Sequence, residues 1–288
     1  MSRQVLRLGS VLLILGIPLL WIVLFMLVPY AVLLNYSFWI KKYPLFEPAL
    51  QLGNYLTLFT DPQYFSVLLR TLKIATAVSV ASLLLAYPFA YYLVFRLRSR
   101  AWRSFLFLAV VAPLWVSYLL RAYLWKTILG TNGILNTALM SLGLIDEPLG
   151  FLLYSQTAMV VTLTYIFIPF MVIPIYTALE KIPANLGEAS ADLGMGPVGT
   201  FLRVTLPLSM SGVVAGFTMT FCLSFGDFVA AFLVGGPDGM MVANVITSQF
   251  GAALNWPLGS ALAVVMLIIV LSIISISDRL ERRAQVGG

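Results

Sequence analysis

The chain has 288 residues, 61% of them hydrophobic and only 10% charged, and its mean hydropathy is +0.99. Soluble domains carry roughly a quarter charged residues, so a water-soluble enzyme is excluded and the composition is that of an integral membrane protein. The net charge is +6, His is absent and Cys222 is the single cysteine, so an internal disulfide and a His/Cys metal site are both ruled out.

A bilayer-spanning helix needs about 20 apolar residues. Charge-free runs of that order occupy 8–40, 74–95, 104–120, 148–179, 204–226 and 239–277. Arg3 and Arg7 precede the first run. That run continues past Leu34 without a small-residue cleavage site, which predicts a retained helix and not a signal peptide. Residues 35–65 form an outer segment with Trp39, Pro44, Pro48 and an amphipathic LGNYLTLF stretch suited to the membrane interface. The second helix carries Pro88 beside Tyr87, Tyr91 and Tyr92, and the third follows a basic RLRSRAWR turn and carries Pro113.

On the third helix Tyr118, Arg121 and Trp125 share one face by their spacing. One reading is an interfacial aromatic belt with Arg121 among the headgroups. The other is a pathway wall whose rings meet an ammonium group, with Arg121 paired to Asp227 or Asp146. Residues 130–150 form an outer loop long enough for a short helix, and the fourth span contains Pro169 and Pro174, which permit bends.

The stretch 182–207 is the longest polar, helix-forming interruption of the apolar pattern. Asn185 and Glu188 have capping-box spacing, and Leu186, Ala189 and Leu193 recur on one face. Glu188 and Asp192 lie together on another face, and Gly194 and Gly196-Pro197 supply the stop. Such a helix either lies on the membrane surface or docks onto a partner.

The fifth span contains Asp227, with Thr220 and Ser224 at i−7 and i−3 making a polar stripe. A charge at membrane depth costs about 2.5–3.5 kcal/mol on insertion scales, so Asp227 reads either as a pathway residue attracting cations or as a structural ion pair. The last run is too long for one helix. Its first part, with Asn244, Thr247, Ser248, Gln249, Asn255 and Trp256-Pro257, reads as a loop or re-entrant segment before a helix near 258–277. Six helices are predicted. Most Lys and Arg fall at the two termini, at 96–103 and around 181–203, which places both termini and the 182–207 loop in the cytoplasm.

No phosphate loop, serine elbow or paired-His zinc motif is present, and no basic patch points to nucleic acid, so an enzyme and a nucleic-acid partner are both disfavoured. The segment EASADLGMGPVGTFLRVTLPLSMSGVVAG resembles the cytoplasmic EAA loop (about 180–206) of permease subunits of bacterial ATP-binding-cassette importers. Glu188, Ala189, Gly194, Leu206 and Pro207 match its pattern, with Ser190 in place of its second Ala. The outer-loop segment LLRAYLWKTILGTNGILNTALMSLGLID, the IFIPFMVIPIYTALEKIP stretch and the segments 244–250 and 256–261 are similar to spermidine/putrescine importer permeases.

The resemblance implies one all-α domain over 1–288 with the type I, MetI-like permease fold in a bacterial inner membrane. It implies that Glu188, Ala189, Asp192, Leu193 and Gly194 form the ATPase contact. It makes Asp227, with Ser224, Thr220, Tyr118 and Trp125, the candidate substrate pathway for a polyamine such as putrescine or spermidine. The implied partners are a second, different permease, two ATPase subunits, a periplasmic substrate-binding protein and membrane lipid. No cofactor or metal belongs to this chain, because ATP and Mg would be bound by the partner ATPase. Rival readings are the same machine for an organic amine, opine, aminophosphonate or oxyanion, and a standalone secondary transporter.

Overall fold

A computed structural model describes residues 15–42, 45–183 and 185–286; Arg3, Arg7 and Pro44 lie outside the described residues. Helices dominate. Among the described residues five are long and apolar enough to cross a bilayer: α1 (Leu15–Tyr36), α3 (Pro62–Arg96), α7 (Gln156–Glu180), α9 (Pro197–Phe225) and α11 (Trp256–Val286). Shorter helices are α2 (Gly53–Thr60), α6 (Ile134–Ser141), α8 (Asn185–Asp192) and α10 (Val242–Phe250).

The predicted third span is broken. Arg100–Trp115 (α4) and the following α5 (Tyr118–Leu129) diverge, the stretch Tyr118–Ser141 being bent by 100° from α4. Pro113 sits in a 3-10 turn there, and Val116 leaves it with extended backbone. The count is therefore six spans when this bent pair is one of them, and Tyr118, Arg121 and Trp125 belong to α5, beyond the break.

Local signals account for several boundaries. Asp61 accepts the Gln63 amide at 2.8 Å with Pro62 as first helical residue, so α3 begins twelve residues before the charge-free run at 74. Ser155 accepts the Ala158 amide at 3.0 Å and starts α7. α8 begins at Asn185, which is thus its first residue and not its cap, so the expected capping box does not form in that register. In the segment expected as a loop or re-entrant stretch, Val242–Phe250 forms the helix α10.

The chain forms two units. In the first (15–65 and Val245–Ile268), a hairpin pairs Ile40–Lys42 with Leu45–Glu47, closed by an exposed Lys42–Glu47 ion pair at 2.7 Å. Asn54 donates to the carbonyls of Ser37 and Trp39, and Trp256 packs among Tyr36, Phe46 and Phe250.

In the second unit (Ser66–Asn244 and 269–286), α7 is the central helix, with twelve buried residues. Its N-terminal half joins Ile74 and Val78 of α3, Ala122 and Leu129 of α5, and 230–234 in one core; its C-terminal half packs with Ala86, Tyr87 and Ala90 of α3. α9 lies against α7 at backbone distance. A Cβ on Gly212 would fall 2.5 Å from the Pro174 carbonyl oxygen, and one on Gly216 3.0 Å from Met171 Sδ. Small residues every four positions permit that approach in a bilayer. Gly212→Ala overpacks this contact at a cost of about 1–3 kcal/mol. Thermal unfolding of the purified protein should show it, whereas Gly187→Ala, with nothing within 4 Å of the new Cβ, should melt as the parent does.

Candidate functional site

Beyond the bend, α5 turns one face inward: Arg121, Ala122 and Leu129 are buried, and Tyr118 and Trp125 half-buried. α9 ends at Phe225, and Gly226 closes it. Asp227 therefore sits in a break after the fifth span and not within it. There its Oδ1 accepts the amides of Ala230 at 2.9 Å and Ala231 at 3.4 Å, capping the turn that leads into Ala231–Gly235. Its Oδ2 accepts the Tyr118 hydroxyl. The Tyr118 ring stacks on Phe167 at 6.1 Å, and Trp125 packs against Tyr165 at 5.3 Å.

Asp227 is 7% exposed and is the only buried carboxylate among the described residues. Its hydrogen-bond donors are all neutral. The ion pairs among the described residues are Lys42–Glu47 and Arg282–Asp278, so neither of the pairings open to Arg121, with Asp227 or with Asp146, is formed. Arg121 instead donates from Nη1 to the Ile166 carbonyl at 3.1 Å. Ile166 lies in the turn before Pro169, which has no amide to give the Tyr165 carbonyl and whose ring crowds that turn of α7. Arg121 Nε has no partner although the residue is only 6% exposed.

The three-residue polar stripe divides. Thr220 and Ser224 are fully buried without hydrogen-bond partners and continue the Gly212–Gly216 row, so packing explains their size and position. Asp227 alone reaches α5. The chemistry the arrangement offers is a desolvated carboxylate beside aromatic faces, suited to an organic ammonium. A half-satisfied guanidinium stands one helical turn away. Phe167 and Tyr165 are site residues absent from the sequence reading; their spacing around Pro169 is the available signal. The Ile166 carbonyl has no signal, being backbone.

At the other end of the second unit, Glu188, Ala189, Asp192, Leu193 and Gly194 are all exposed, Leu193 at 80%. The buried residue of α8 is Ser190. Gly194 has φ +80°, the Met195 amide bonds the Ser190 carbonyl at 3.0 Å and the Gly194 amide bonds that of Ala191 at 2.8 Å. These two bonds make a Schellman stop, which needs glycine at the left-handed position.

The family model for binding-protein-dependent transport system inner membrane components matches residues 5–286. The chain is 37% identical over 251 residues to the spermidine/putrescine transport system permease protein PotB of Escherichia coli (strain K12), covering 87% of this chain and 90% of that one. It is 38% identical over 245 residues to the inner membrane ABC transporter permease protein YdcU of the same organism, covering 81% and 77%. Its fold is similar to a chain of the bacterial alginate ABC transporter in complex with an alginate pentasaccharide-bound periplasmic protein, with TM-score 0.81, 17% identity and coverage of 98% and 97%.

Proposed function

Because the chain belongs to the family of binding-protein-dependent transport system inner membrane components, a multi-pass inner-membrane permease of ABC importers, we propose that it imports polyamines such as putrescine and spermidine. The observation that carries the solute class is Asp227, a buried carboxylate held only by neutral donors beside the rings of Tyr118 and Phe167. Its charge is left for a cationic solute to meet. Trp125 extends the aromatic wall, while Thr220 and Ser224 continue the small-residue row of α9. The PotB relatives carry spermidine and putrescine in their printed names, which agrees with that chemistry.

Permeases of this kind work with a second permease, an ATPase and a periplasmic binding protein. Here the second permease is a different chain, and two ATPase subunits grip the exposed face made by Glu188, Ala189, Asp192, Leu193 and Gly194. ATP and Mg reside on those subunits, and this chain supplies no hydrolytic groups. The termini and α8 face the cytoplasm in this reading, which the Lys and Arg placement supports. The test is ATP-dependent uptake of labelled putrescine by vesicles holding the chain with its co-encoded subunits. Uptake driven without any ATPase subunit, or none of any di- or polyamine, ends the reading. The unpartnered Nε of Arg121 favours one other reading, a solute with an anionic group as well as an amine; Arg121→Gln would then lower its uptake while leaving that of putrescine unchanged.

Topology has its own check. A cysteine at exposed Gly187, in a Cys222→Ser background, should react with a membrane-impermeant maleimide only from the cytoplasmic side. Labelling from the outer side alone reverses the orientation.

A further inference from the structure

Ser190 stands where the EAA pattern has alanine, and it is the buried residue of α8, at 3% exposure. Its hydroxyl lies 2.7 Å from that of Thr200, in the first turn of α9. Its carbonyl accepts the Met195 amide that closes the helix stop. The side chain of Ser190 thus ties α8 to the start of the fifth span, while its carbonyl holds the stop just before it. α8 packs on Pro197–Thr200 and on the π turn Phe201–Thr205. The fifth span in turn is wedged against α7 by Gly212 and Gly216.

The root of α8 is different. Two cavities of about 420 and 430 Å³ undercut it, and Ile182, Pro183 and Leu186 line both. Pro183 has no amide to bond there. A helix held only at such a root would swing, dissipating any displacement applied to its exposed face.

We propose that the Ser190–Thr200 hydrogen bond makes α8 one rigid body with the fifth span, so that Ser190 is a positioning residue that transmits motion of the ATPase into the α7–α9 pair. The inference rests on the reading of 188–194 as the ATPase contact. The complex reconstituted in lipid vesicles, with uptake and ATP hydrolysis measured together, tests it. Ser190→Ala should lower solute moved per ATP hydrolysed about five-fold, the equivalent of one ordinary hydrogen bond. Thr200→Ser, which keeps a hydroxyl, should hold the parent ratio. In a Cys222→Ser background, Ser190→Cys with Thr200→Cys should cross-link on oxidation and still transport, because the two elements never separate.

Loss of transport on oxidation with recovery on reduction overturns the proposal. So does failure of the pair to cross-link, or an unchanged ratio in Ser190→Ala. Glu188→Arg separates the two levels: if it leaves uptake untouched, the ATPase contact itself is wrong. If it abolishes uptake while the Ser190 variants behave as the parent, only the rigid link is wrong.

Discussion

Asp227→Asn should cut putrescine uptake by roughly ten- to a hundred-fold while leaving the thermal midpoint nearly unchanged. Asparagine caps a helix about as well as aspartate, so its side-chain oxygen can still accept the amides of Ala230 and Ala231. At the position of Oδ2 asparagine presents an amide NH2, which can donate to the Tyr118 hydroxyl, so that contact is kept with its direction reversed. What disappears is the charge. A hydrogen bond to a charged group contributes about 1.5–3 kcal/mol, which sets the size of the loss.

Asp227→Ala goes further. It removes the cap, costing about 0.5–2 kcal/mol, and orphans a half-buried Tyr118 hydroxyl, costing about 1–3 kcal/mol. That variant should melt early as well as fail in transport. Uptake kinetics paired with unfolding curves separate the two effects. If Asp227→Asn transports putrescine as the parent does, Asp227 is a helix cap and nothing more, and the solute assignment loses its main support.

The membrane class, the number of apolar runs and the EAA-like loop were legible because each rests on a pattern along the chain. Asp227 was legible as an isolated acid, but its place in a helix break was not. The apolar residues around Gly226 suggested a continuous span, although Asp227 three residues before Ala230 is the spacing of a cap. The start of α3 was missed for a related reason. Arg70 and Lys73 ended the charge-free run, yet a helix tolerates cations near its end, and Arg70 donates to the Pro237 carbonyl at 3.2 Å.

Pro113 marked a weak point in the third span, whereas the 100° bend comes from how α5 packs on α7, which no local rule contains. The partner of Arg121 stayed open in the sequence because the acceptor is a backbone carbonyl, which side-chain patterns do not mark. Thr220 and Ser224 were first read for polarity. Their spacing from Gly212 and Gly216 marks them as small residues in a packing row.

The same distinction between a residue's chemistry and its room tests the proposed coupling face. Gly194→Trp should abolish uptake while ATP hydrolysis by the assembled complex continues or the ATPase no longer copurifies. A side chain at φ +80° costs roughly 1–2 kcal/mol in backbone strain. No atom lies within 4 Å of a Cβ there, so the indole would clash with nothing in this chain. It would project from the exposed surface that Leu193 and Asp192 share, into the space a partner must occupy.

Gly194→Ala carries the strain without the bulk, and should keep at least half the uptake. Glu188→Arg provides the electrostatic counterpart: it puts a cation in the first turn of α8, against the helix dipole, at about 0.3–1 kcal/mol. It also reverses the charge offered to a complementary cleft, where like-charge contact costs several kcal/mol. Its uptake should therefore fall more than ten-fold in a protein that still folds. Were Gly194→Trp and Glu188→Arg both to transport normally, the exposed face of α8 would be lying on the membrane surface, and the drive for this permease would have to enter elsewhere.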